Sequence, residues 1–375
     1  MKQRTLFVAL AWLVVSYTLA SAADADGDNG TVAAAVKKVG GFVQVDFNSK
    51  EKDKPIIAVY LNGPQKDKFD LTALKDLPKL RMLFLGGERW TDKEMEQVGA
   101  LTSLEELDLQ GSQVTDAGLD HLKAMTKLQT LRLPSTIKDD GLVKLKTLTE
   151  LRHVTLTTGC GDAGLKHVKE LTKLQSLYLF GGNYTDAGLE NLKGMAELKS
   201  LTCFGTQVKG DGMMYLKDCP KLETLELTSS PVTGKGLANL KDLKALKYLN
   251  LWASQFTDAD TEHIKDLKNL KTLNLWTTKV TDKGMDNLKG LEGLEELLLM
   301  DTAITDKGVE ALKGMGKLQR LNLLGTKVTD ACVDSLKEMK GLTSVDLQRT
   351  KVTNDGLKAL AKASPNLFII PQPKK

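Results

Sequence analysis

Apolar residues return along this chain in one fixed arrangement, L-x-x-L-x-L, at nearly constant intervals. The arrangement begins at Ile56 and recurs at Leu80, Leu104, Leu128, Leu151, Leu174, Leu198, Leu222, Leu246, Leu270, Leu294, Leu318 and Leu342. A truncated copy is expected from Leu367. The steps are 24 residues, except for two of 23 that end at Leu151 and Leu174 and a last one of 25. A period of this length is the mark of stacked repeats, each one supersecondary unit.

The unit Leu318 to Gly341 displays the pattern in full. Leu321 and Leu323 alternate with polar neighbours, so they share one face of a short strand. Thr326 and Val328 then point inward through a turn. Thr329-Asp330 opens a helix, since either side chain can accept from a free backbone N–H and the Asp charge suits the positive helix end. Val333 and Leu336 fall on one helical face, and Lys337 lies near the helix C-terminus, where a cation is favoured. One strand and one helix cannot enclose a core, so neighbouring units must stack.

With these residues in view, the chain resembles the leucine-rich-repeat family over residues 56–370. The V-T-D-x-G-L signature (Val114 to Leu119, and Val280 to Met285 with Met last) is similar to that of bacterial exported proteins with TDxGL-type repeats. The repeat phase is also similar to the cysteine-containing repeats of F-box adaptors, although no F-box is present. The resemblance implies an α/β fold: a right-handed horseshoe solenoid of about fourteen repeats. A parallel sheet would line its concave face, with helices on the convex face. The family's ladder Asn is replaced by hydroxyls at Ser112, Thr206, Ser230, Ser254, Thr278, Thr302, Thr326 and Thr350.

The ends divide the chain further. Lys2 and Arg4, the apolar run Leu6 to Val15 and the small-x-small site Ala20-Ser21-Ala22 define an export signal over residues 1–22. The expected location is therefore outside the cytoplasm: periplasm, cell surface or medium. No later stretch has the length of a membrane span. Residues 23–30 are a polar, disordered linker, and 31–55 an N-terminal cap of one short helix and one strand. Repeats occupy 56–366, and 367–375 hold the truncated copy and a C-terminal cap closed by Pro371 and Pro373.

Composition narrows the function. The net charge of +4 includes Lys2 and Arg4 of the signal, too little for a nucleic-acid surface. Lysines recur once per repeat, from Lys123 and Lys146 to Lys313 and Lys337. A polyanion could follow that row, but it also matches helix C-termini flanked by acids. His121, His167 and His263 occupy one convex helix position in separate repeats, and His153 alone falls on the strand face. Cys160, Cys203, Cys219 and Cys332 share no repeat position and read as buried thiols; Cys203–Cys219 is the one pairing worth testing. With no phosphate loop, nucleophile elbow, calcium loop or metal spacing, the chain reads as no enzyme and as needing no cofactor or metal.

The concave face carries the binding expectation. If the first Leu of a unit is position one, positions three, five and seven face outward. Position seven holds Phe180, Phe204, Thr228, Trp252, Trp276, Met300 and Leu324 in successive units. Tyr178 and Leu298 stand at position five and Tyr248 at position three, with Asn250, Asn274 and Asn322 available for specific hydrogen bonds. Two readings are open: these side chains form a partner-binding face, or they lean over the sheet edge and fill the turn beneath. Three functions compete: a protein-binding scaffold, recognition of a glycan or cell-wall polymer by the same aromatics, and a structural envelope component. The two short units around Leu128 and Leu151 suggest a local change in curvature.

Overall fold

The computed structural model describes residues 28–52, 54–62 and 69–374. The export signal and residues 23–27 of the expected linker lie outside the described residues. The first helix, Asp28–Lys38, begins inside the segment read as linker and places Val32 and Val36 in the core.

Fifteen strands form one open sheet in chain order. The first, Phe42–Val45, runs antiparallel to Ile56–Tyr60 and covers the start of the array. From Ile56–Tyr60 onward every neighbour is parallel, and like positions pair: Leu249 lies between Leu225 and Leu273. This register puts the second Leu or its equivalent of every unit in a single continuous core, with Leu225, Leu249 and Leu273 at 0% exposure. A one-residue slip would turn each strand inside out, so the buried row fixes the register.

That rule also corrects the end of the array. Phe368, Ile369 and Ile370 pair with Ser344, Val345 and Asp346, an offset of 24 rather than 25. Ile369 is thereby buried against Val345, and the truncated copy starts at position 366, one residue before Leu367. The short units leave the strand register equally intact, with Thr130 paired to His153 and His153 to Ser176. The missing residue comes out of the following turn, where Ile137 and Cys160 take the inward place one residue early. Next to the small Cys160 the core is filled by Tyr184, fully buried, with its hydroxyl 3.3 Å from the Thr157 carbonyl.

The Thr-Asp pair at many helix starts, reduced to Gly161-Asp162 in one short unit, acts in two directions. Thr281 and Thr305 accept from the backbone of their own helices. The Asp, by contrast, reaches the next repeat. Asp162 Oδ1 accepts from Thr185 N at 2.8 Å and its Oδ2 from Thr185 Oγ1 at 2.6 Å. Asp92, Asp258, Asp282, Asp306 and Asp330 serve Thr115, Thr281, Thr305, Thr329 and Thr353 in the same way. Orphaned N–H groups and the positive helix end favour a carboxylate there, whichever repeat supplies it. The glycine that follows leaves room for it: a Cβ on Gly188 would fall 2.1 Å from Asp162 Oδ1.

The hydroxyls in the family's ladder place do satisfy buried backbone, though mostly within their own repeat. Thr278, Thr302 and Thr326 each donate to a carbonyl three residues back, at 2.6 Å. Thr206 and Ser230 instead bond to each other across repeats at 2.9 Å. All four cysteines are free and buried. Burial pushes the Cys203 thiol up to about 12 and the Cys219 thiol up to about 11, so both are protonated and inert.

Candidate functional site

Two residues beyond each strand, the chain turns sharply, and the backbone ladder between repeats continues through the turn. Trp252 N donates to Asn250 Oδ1 at 3.0 Å, while the Trp252 carbonyl accepts from Ser229 N at 2.8 Å. Trp276 is held likewise by Asn274 Oδ1 at 2.9 Å and by Ala253 N at 2.9 Å. A side-chain carbonyl taking the N–H two residues on is the Asx turn that Asn favours. The next residue is left-handed: Ser229, Ala253, Thr277 and Asp301 have φ of 53°, 55°, 50° and 50°. In other repeats Gly181, Gly205 and Gly325 hold this place. Left-handed backbone at non-glycine residues is strained, and for β-branched Thr277 most of all. That strain runs through four successive repeats directly behind Thr228, Trp252, Trp276 and Met300.

The rings stand outside the core. Phe180, Phe204, Trp252, Trp276, Met300 and Leu324 are half-buried, as are Tyr178, Tyr248 and Leu298, and none belongs to the buried cluster. The inward place in the turn belongs instead to residues such as Val208, Val232, Phe256 and Val280. Trp252 and Trp276 stack with centroids 4.7 Å apart and planes 11° from parallel. Phe180 and Phe204 form a tilted pair at 5.8 Å. The Trp276 indole N–H donates to Asp301 Oδ2 at 3.2 Å, and Arg349 holds the other oxygen at 3.0 Å.

Two parts of the expected face differ from the sequence reading. Asn250 and Asn274 are buried, at 6% and 7% exposure, and their carbonyl oxygens are committed to the Trp backbones. Asn322 is half-buried and commits its oxygen to Leu324 N. These three side chains build the turn more than they offer bonds to a partner. The apolar column is also interrupted, because Thr228 is only 2% exposed between Phe204 and Trp252.

Polar groups lie across that interruption. Asn250 Nδ2 donates to Glu226 Oε2 at 3.3 Å and to the Tyr248 hydroxyl at 3.5 Å. Burial raises the Glu226 carboxyl above its ordinary value, opposed by the Asn250 bond. Burial, then Glu226 and Glu296, push the Tyr248 phenol up to about 12. Farther toward the N-terminus the face is closed by charge pairing, with Arg132 against Glu106 and 3.7 Å from Asp108. His153 lies beside Arg132, and burial followed by that charge lowers its pKa, leaving it neutral. On the convex side, lysines of the repeated row pair locally, Lys289 with Asp286 and Lys337 with Asp334. Among the described residues no group of three or more His, Cys, Asp or Glu could hold a metal.

A leucine-rich-repeat sequence profile matches residues 244–304, and a second one matches 100–122, 218–241 and 342–361. The chain is a leucine-rich-repeat protein. Its repeats share their fold with a Listeria monocytogenes internalin, inlF, at 20% identity and a TM-score of 0.55, covering 85% of this chain and 94% of that one. A leucine-rich-repeat protein of Leptospira interrogans aligns at 19% identity and a TM-score of 0.51 over 79% of this chain and 85% of its own. The mouse RP105/MD-1 complex aligns at 17% identity and a TM-score of 0.54, over 81% of this chain and 62% of that chain. No curated protein matches by sequence.

This leucine-rich-repeat protein carries a second aromatic group that the sequence reading missed. Phe42, Tyr60 and Phe84 stack at 4.1 and 4.3 Å on the first three strands. Tyr60 and Phe84 share position five in consecutive units, which the column count could have found. Phe42 joins only through an antiparallel cap strand that has no repeat position.

Proposed function

We propose that the chain is an exported, non-catalytic scaffold that binds a protein partner on its concave face between Tyr178 and Leu324. The observation that carries this reading is the Trp252/Trp276 pair. Two large rings are fixed at the backbone, half-exposed, outside the core and backed by strained turns. Rigid aromatic anchors dominate interface energy, and strain collects where function requires it. The mouse RP105 structure is itself a complex with a partner, MD-1.

The ring geometry favours protein over sugar. Stacking at 4.7 Å follows the strand spacing of about 4.8 Å, so ring edges rather than faces meet the concave space. A sugar ring packs on an open aromatic face, and each Trp already gives one face to the other. Trp252→Ala and Trp276→Ala should each weaken partner binding by about 2 kcal/mol, roughly thirtyfold, in titration against a partner captured from the exporting cell's envelope. A glycan array bound by the parent and lost in the double substitution would replace protein with sugar as the ligand.

Export is supported by the basic, apolar and small-x-small order of residues 1–22. Among the described residues no helix is long and apolar enough to cross a membrane. N-terminal sequencing of the exported protein should begin at Ala23.

A further inference from the structure

We infer that the concave face accepts an arginine side chain of the partner at Glu226, between the Phe180/Phe204 and Trp252/Trp276 pairs. The inference rests on the protein-binding reading above and names the chemistry of the partner.

Glu226 differs from Glu106, Glu296 and Asp301 on this face. Glu296 is held by Arg320 through two bonds at 2.9 and 3.2 Å. Glu106 has Arg132, and Asp301 has Arg349. Among the described residues no cation lies within ion-pair distance of Glu226, whose one hydrogen bond comes from the neutral Asn250. A half-buried carboxylate without a counter-ion is costly to keep in a folded protein. Two hydroxyls, each able to accept as well as donate, stand beside it. The Tyr248 hydroxyl converges on the same Asn250 nitrogen, and the neighbouring Thr202 hydroxyl is buried without a hydrogen-bond partner.

Glu226 pairs with Thr202 on one side and Asn250 on the other, and Thr228 follows it in the same column direction. Phe204 and Trp252 therefore flank Thr228 two strand spacings apart, or about 10 Å. An alkyl stem can cross the short Thr228 between the two rings and set a cation on Glu226. Arginine suits the place better than lysine. Its planar fork can meet the two Glu226 oxygens and the Tyr248 oxygen together, and a guanidinium is more weakly hydrated than an ammonium, so less is lost on desolvation.

Selection of a phage-displayed random-peptide library on the full chain supplies defined probes. Peptides whose binding is abolished by Trp252→Ala/Trp276→Ala should share an arginine. Glu226→Gln keeps the shape and can still accept from Asn250, yet it should weaken those peptides about tenfold or more. Citrulline in place of the peptide arginine should have the same effect, and the two changes together no more than either alone. The Glu226→Gln chain should unfold at the parental midpoint or above it, because an uncompensated charge has been removed. Trp-dependent peptides that lack a basic residue, or that bind Glu226→Gln with parental affinity, overturn the inference and leave the protein-binding reading in place. A selection with no Trp-dependent peptide overturns both.

Discussion

Trp90 and Trp276 are the same residue four places apart in the repeat, and they lead different lives. Trp90 occupies the inward turn position, 1% exposed, with its indole N–H 3.1 Å from the Leu61 carbonyl. Tyr184 and Phe256 share that position and are fully buried. Trp276 stands at position seven, half-buried, and donates to a carboxylate at the solvent side of the turn. Aromatic character alone therefore says little about role in a solenoid. Place in the unit decides whether a ring fills the core or faces a partner.

The sharpest way to break this contrast is to truncate both rings. Trp90→Ala should lower the free energy of urea unfolding by roughly 3–5 kcal/mol, the range for a large core side chain. Trp276→Ala should lose clearly less, about 2 kcal/mol, from its stack on Trp252 and its bond to Asp301. Equal losses would mean that position seven belongs to the core. A middle-sized effect tests the inter-repeat carboxylates. Asp282→Ala removes acceptors from Thr305 N and Thr305 Oγ1 and should destabilise by roughly 2 kcal/mol, read from the same unfolding curves. The smallest effect has the opposite sign. Thr277→Gly relieves a left-handed β-branched residue and should stabilise by about 1 kcal/mol, with affinity for the partner unchanged or lower. A destabilised Thr277→Gly would show that the turn is not strained.

Much of this was legible in the residue pattern, for a physical reason. A 24-residue period with Leu at fixed places leaves one way to bury the apolar face, so core and concave columns could be assigned before any coordinate. What stayed hidden depends on where a side chain goes, which spacing does not encode. The Asp of each Thr-Asp pair sits at its own helix start in sequence but bonds into the next repeat. Asn250 and Asn274 lie on the outward face by parity, yet their oxygens turn back to the Trp backbone. Ser229, Ala253, Thr277 and Asp301 adopt a conformation that their residue types do not announce. The last strand was misplaced by one residue because Leu367 imitates a repeat start, whereas Ile369 is the residue that reaches the core.

The carboxylate links between repeats also give the array a direction, and with it a natural place for dissection. Helix starts at Thr115, Thr185, Thr281, Thr305, Thr329 and Thr353 each depend on an Asp of the preceding unit. A fragment beginning at any of these units would start with a helix that has lost its inter-repeat carboxylate. At Gly234 the dependence reverses, for Asp260 reaches back to Gly234 N at 2.8 Å while also bonding Thr257 of its own unit. A fragment that begins with the unit at Leu222 would thus carry every side-chain cap it needs, together with Glu226, Trp252 and Trp276. Any cut bares the apolar face of one repeat, but this one severs no carboxylate link, and it leaves Phe204 on the other piece.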